Sequence, residues 1–244
     1  MAAPLIACGV VPLGGLLQLA LVEQRRGEHA GALDALTFEP GEASAVRREL
    51  ASLAPVAVVC GYRLPPPESV STGDPQAAEG AAANTGERTC DRLLAEAGVR
   101  PNAWCAEGAQ AVADLRRIES CVSAGGTLAA RPPAGVVAES VVDGIFGRLL
   151  GVRPPARRHP FGVRARIEAL GRAAVRLRGG SPWDRRIEEI EALACALCAF
   201  ELAAGNCLLV GERAEGMVVL PGREPLRRFE TRGAVPLVER LALP

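Results

Sequence analysis

The sequence has no lysine; all 28 of its basic residues are arginine. That excludes a Schiff-base lysine, a P-loop lysine and a lysine general base. Histidine is nearly absent too, with only His29 and His159. His29 reads as a solvated turn residue. No Gly-x-Ser-x-Gly elbow accompanies either histidine, so a nucleophile–histidine centre has little to be built from. Aromatic residues make up 3% of the chain, so the core must be aliphatic. There is no net charge, with 28 acids against 28 bases. Nothing overall draws the chain to nucleic acid or to an anionic membrane, although local patches are not excluded. No apolar run reaches the ~18 residues of a membrane span. The glycine pairs Gly14-Gly15, Gly125-Gly126 and Gly179-Gly180 match no dinucleotide or P-loop pattern and read as turns.

What is present is 244 residues with 49% apolar content, enough for a sizeable core. Eight cysteines sit mostly in apolar or small-residue surroundings. The N-terminus has no basic n-region and runs directly into a strand pattern, so free thiols in a reducing cytoplasm are expected. Cys195-x-x-Cys198 has redox or half-zinc spacing. It lies mid-helix and has no second ligand pair, so two small apolar residues on a helix face explain it better.

Leu5–Val11 and Leu16–Glu23 read as strands joined by Pro12-Leu13-Gly14-Gly15, an antiparallel hairpin. Leu33–Phe38 offers a third strand and Glu42–Leu53 a helix. Val56–Cys60 is a fully apolar run suited to a buried strand. Gly61–Gly86, rich in proline, glycine and small residues, reads as a mobile insertion. Thr85–Ala97 is expected to be helical, as is a piece near Ala109–Ser120. Gly135–Ser140 reads as a short buried strand and Val141–Leu150 as a helix. Arg153–Arg166 is a basic loop with three prolines leading into a helix through Leu170. Trp183–Ala204 is the best helix, with Ile187, Ile190, Leu193, Ala194, Leu197 and Leu202 at core spacing. Cys207–Val210 and Met217–Leu220 read as the last strands. No internal repeat or linker appears, so one α/β domain over residues 1–244 is expected.

The carboxylates carry the most chemical information. Glu139 ends an apolar strand and Asp143 follows four residues later. Glu188 and Glu191 are three apart at the start of the long helix and share a face. Glu191 lies between Ile190 and Ala192, and an acid near a core needs a partner or a cation. An exposed helix start, favoured by the helix dipole and paired to Arg185 or Arg186, would explain the same acids without a site.

These pieces together resemble the predicted nucleases with a ribonuclease-H-like fold, the family known as domain of unknown function 429. The resemblance rests on Glu139–Leu170 with its Gly162-x-x-x-Arg166 helix, on Arg88-x-x-Asp91-Arg92, on the acidic helix Ile187–Gly205, and on Glu215-Gly216 closing at Pro221. It covers nearly the whole chain. It implies a mixed sheet with an antiparallel opening hairpin and helices on both faces. It also implies acids converging on one or two Mg²⁺ or Mn²⁺ ions that activate water against a phosphodiester. Of four family acids, Glu139 matches and Glu191 replaces an aspartate. Val11 and Gly61 stand where aspartates are expected.

A degenerate metal centre with weak or no nuclease activity is therefore the first expectation. Its residual metal ligands would be Glu139, Glu191 and Asp143. Arg153, Arg157, Arg158, His159, Arg164 and Arg166 would form a phosphate-binding groove, since guanidinium suits phosphate; a solvated basic loop is the plain alternative. A second expectation is an active phosphodiesterase in which Glu139 and Glu191 are catalytic. A third is a non-catalytic interaction protein, such as a homodimer, marked by dry packing around Val11 and Gly61.

Overall fold

The computed structural model describes residues 4–24, 32–65, 87–123 and 134–230. Most of the expected insertion, together with His29 and Gly125-Gly126, lies outside them.

The first hairpin is β1, Leu5–Leu13, and β2, Leu16–Gln24. Gly14 and Gly15 between them have φ +54° and +84°. Two positive φ angles make the tight turn whose twist suits a hairpin, and they explain the glycine pair. β3, Leu33–Thr37, continues the antiparallel run. Helix α1, Ala43–Leu53, leads to β4, Ala57–Cys60, which pairs parallel with β1. After α2, Thr89–Glu96, and α3, Ala106–Ala111, comes the two-residue β5, Arg116–Arg117. A 3₁₀ turn, Ile118–Cys121, follows it. The helical piece expected near Ala109–Ser120 is thus replaced by a shorter, earlier helix and a strand. β5 pairs with β6, Val136–Glu139, which also pairs parallel with β4.

Then come α4, Val142–Leu150, and α5, Pro160–Arg172. Arg164 and Arg166 therefore lie on a helix, and the basic loop ends at His159, the α5 N-cap. β7, Val175–Leu177, was not legible in the sequence. Helix α6, Ile187–Ala203, precedes the final antiparallel pair β8, Cys207–Glu212, and β9, Gly216–Pro221. The strands join in one mixed sheet, in the order β7-β3-β2-β1-β4-β6-β9-β8, with β5 beside β6.

Strand alternation divides the core between the two faces. Cys8, Val10, Val58, Cys60 and Val137 face α1 and α3. Ala7, Val11, Ala57, Val59, Val136 and Ala138 belong to the cluster that holds α4, α5 and α6. Helix α6 lies directly on β1. A Cβ at Gly9 would come 2.1 Å from the Ala192 carbonyl oxygen and 2.3 Å from the Ala196 nitrogen. The sequence suggests one buried stripe on α6, but both its apolar residues and Glu188, Glu189 and Glu191 are buried. A helix apolar over most of its circumference belongs in the interior.

Candidate functional site

Val11 and Gly61, where the resemblance leads one to expect aspartates, are packed among apolar side chains. Gly61 follows β4, and its N–H donates to the Val10 carbonyl (2.9 Å). A Cβ on Gly61 would lie 2.8 Å from Val11 Cγ1, 2.9 Å from Val142 Cγ2 and 3.2 Å from Cys195 Sγ. Val11 is itself buried in this cluster. Burial raises the Cys195 thiol well above its usual range, and raises Cys60 to about 12.

Glu139 is elsewhere. It ends β6, where it pairs with Cys60 of β4 and Val218 of β9. Its carboxylate is buried and held by three donors. Arg88 Nη1 and Nη2 donate at 2.9 and 2.8 Å, and the Leu64 N–H at 3.1 Å. Arg88 also binds Asp91 through Nε (3.0 Å) and Nη2 (2.9 Å). Burial works against the charged Arg88, but its bonds to Glu139 and Asp91 prevail and raise its pKa. Burial likewise pushes Asp91 up, and the Arg88 bonds more than offset it, leaving this carboxyl below its usual range.

A second buried pair lies alongside. Arg117 donates to both oxygens of Glu119 (3.1 and 2.8 Å) and to the Pro65 carbonyl (3.1 Å). Glu119 also accepts from the Met217 N–H (3.0 Å). Despite burial, the Arg117 bonds hold Glu119 below its usual range. Gly216, at φ +95°, packs where a Cβ would meet Arg88 Nη1 at 3.4 Å and Arg117 Nη2 at 3.8 Å. Its neighbour Glu215 accepts from the Thr89 N–H (2.7 Å) at the start of α2. The segments Arg88-x-x-Asp91, Glu139 and Glu215-Gly216 thus meet around Arg88, with Arg88, Asp91 and Glu139 forming the buried ionic network.

The other candidates form a second network. Arg157 clamps Glu191, with Nε to Oε1 at 2.5 Å and Nη2 to Oε2 at 2.6 Å, and reaches Glu188 at 3.0 Å. Desolvation raises the Glu191 pKa in spite of Arg157. Arg166 is fully buried. It donates to Asp143 (2.6 Å), Pro155 O (2.9 Å) and Gly162 O (3.1 Å), and its Cζ lies 5.2 Å from the Phe146 ring centre. Gly162 is required here, because a Cβ would sit 2.0 Å from the Ala156 carbonyl oxygen. The Gly-x-x-x-Arg spacing thus lets the loop approach α5 and ties it there one turn later.

The rest of the expected groove is at the surface. Arg158 is exposed. Arg164 is paired to Glu168 (2.6 Å). His159 caps α5, accepting from the Phe161 N–H (3.3 Å), and stacks on Phe161 with ring centres 5.4 Å apart. The structure therefore brings together Arg157, Glu188 and Glu191, and joins Asp143 to Arg166. Glu139 belongs to a different set.

Among the described residues, no three His, Cys, Asp or Glu side chains group as a metal site requires. The donor set does not fit a divalent ion: Val11 and Gly61 offer no side-chain ligand, and both remaining acids are taken by guanidinium groups. Arg63, Arg88, Arg117 and Glu119 were not singled out as site residues from sequence. Arg88 and Asp91 were visible only as a motif.

Neither a family model nor a curated protein matches the chain. Among solved structures it is similar to a Thermus thermophilus RuvC structure at 16% identity and a TM-score of 0.38. The match covers 88% of this chain and 100% of that one. No helix among the described residues is long and apolar enough to cross a membrane.

Proposed function

We propose that this is a ribonuclease-H-like protein of the predicted-nuclease kind whose acidic centre has been rebuilt from metal ligation to arginine–carboxylate pairing. The observation that carries this reading is the packing of Val11, Gly61, Val142 and Cys195 where two aspartates would meet. Supporting it are the three antiparallel opening strands, the parallel β4 and β6, and the late acidic helix α6 lying on β1. Glu139 and Glu191 are each held by an arginine of their own, Arg88 and Arg157. A full two-metal mechanism needs carboxylates that converge on the ions, and these do not.

The reading keeps the fold and gives up hydrolysis, as an intracellular binding or interaction protein. Any nucleic-acid contact rests on exposed residues such as Arg153, Arg158 and His159, because Arg157 and Arg166 are tied internally. Binding through so few phosphates is weak, and its affinity falls as salt rises. Wild type and Glu139→Gln are expected to show the same background in a Mn²⁺-dependent cleavage assay on single- and double-stranded DNA and RNA. Cleavage by wild type that disappears in Glu139→Gln would restore the phosphodiesterase reading.

A further inference from the structure

β7, Val175–Leu177, ends the sheet, and among the described residues no strand lies beyond it. Its inner side is bound to β3. The Leu33 N–H donates to the Ala174 carbonyl (3.1 Å) and the Arg178 N–H to the Ala35 carbonyl (2.8 Å). Pairing alternates along a strand, so Arg176 is the residue of β7 whose backbone turns toward β3. Val175 and Leu177 turn their N–H and C=O groups outward, a template for one more strand. The opposite edge is crowded instead. A Cβ on Gly211 of β8 would lie 2.6 Å from Cys90 Cβ of α2, and residues 225–228 share a cavity wall with residues 208–211.

Beside the open edge lies an apolar groove of about 270 Å³, lined by Ile167, Leu170, Val175, Leu177, Ile190 and Leu193. Glu168, also on its wall, is paired to Arg164 (2.6 Å). Arg176 is exposed and points to the other side of the pleat. Asp34 stands opposite it on β3 but is bound by Arg178 (2.8 Å), and Arg176 has no ion pair among the described residues.

We infer that this edge is a docking site for an extended peptide segment of a partner protein, with an acid opposite Arg176 and an apolar residue on either side of it. The added strand takes the outward backbone groups of Val175 and Leu177, and its two apolar side chains enter the groove. Backbone bonds supply affinity in such strand addition, and pockets for alternate side chains supply specificity. A second copy is the poorer occupant. Antiparallel self-pairing centred on β7 sets Arg176 against Arg176, and like charges directly opposite are destabilising. The inference stands apart from the state of the acidic centre.

The test is a fluorescence-polarisation titration at low salt with two labelled, end-capped peptides, one alternating valine and glutamate and the other valine and lysine. The proteins are wild type, Arg176→Glu and Leu177→Pro, with far-ultraviolet circular dichroism to establish folding. Wild type should bind the glutamate peptide at least about tenfold tighter than the lysine peptide. Arg176→Glu, a surface change, should reverse that order. Leu177→Pro removes an outward N–H that β3 does not use, and should bind neither peptide. Hydrogen exchange at Val175 and Leu177 should slow when the glutamate peptide is bound to wild type. No binding by wild type at millimolar peptide, a preference that Arg176→Glu leaves unchanged, or binding without slowed exchange in β7 would each overturn the inference. So would a wild-type dimer, seen by analytical ultracentrifugation, that a folded Leu177→Pro dissolves, since the edge would then belong to a second copy.

Discussion

Arg88→Met is expected to destabilise the protein by about 3–5 kcal/mol, the usual effect of removing one partner from a buried ion pair. Methionine fills a similar volume, so the loss is electrostatic rather than a cavity. Glu139 and Asp91 would be left buried with no guanidinium between them. The pH dependence identifies the cause. In wild type, Asp91 has a depressed pKa, so its pairing contributes stability above the ordinary carboxylate range of about 3.9–4.3. That contribution is lost as pH falls through the depressed folded value. In the variant, the stranded Asp91 carboxyl protonates more readily, so the deficit relative to wild type should be largest at neutral pH and shrink below about pH 4. Urea unfolding of both proteins between acid and neutral pH checks this. An equal deficit at every pH would mean that Arg88 acts through packing.

The second large effect comes from putting the aspartates back. Val11→Asp/Gly61→Asp is expected to lose more than about 3 kcal/mol and to gain no Mn²⁺-dependent cleavage. Val11 is 2% exposed in an apolar cluster. The Gly61 Cβ alone would already press on Val11, Val142 and Cys195. Two carboxylates there would be unpaired charges in a filled space. Urea unfolding and the cleavage assay together decide the matter. A well-folded double variant that cuts nucleic acid would show that the cleft is open and merely lacks its ligands.

Much of the fold was legible because it follows from local pattern. The Gly14-Gly15 turn, the apolar run before Gly61 and the spacing of α6 announce their elements without tertiary help. β5 and β7 were not legible, because two or three residues are too few to show a period and are strands only through β6 and β3. The expected helix near Ala109–Ser120 failed for the same reason, since Arg116 and Arg117 pair with Val136 and Val137. At the site, Glu139 and Glu191 stood out as acids in apolar company. Their partners did not, because Arg88 is 51 residues from Glu139 and Arg157 is 34 from Glu191.

The central claim, that internal arginines rather than metal ions hold these acids, is tested most directly by anomalous diffraction from wild-type crystals soaked in millimolar Mn²⁺. The account predicts no anomalous peak beside Glu139 or Glu191, with Arg88 and Arg157 still on their carboxylates. A manganese peak at either acid, with its arginine displaced, would contradict it.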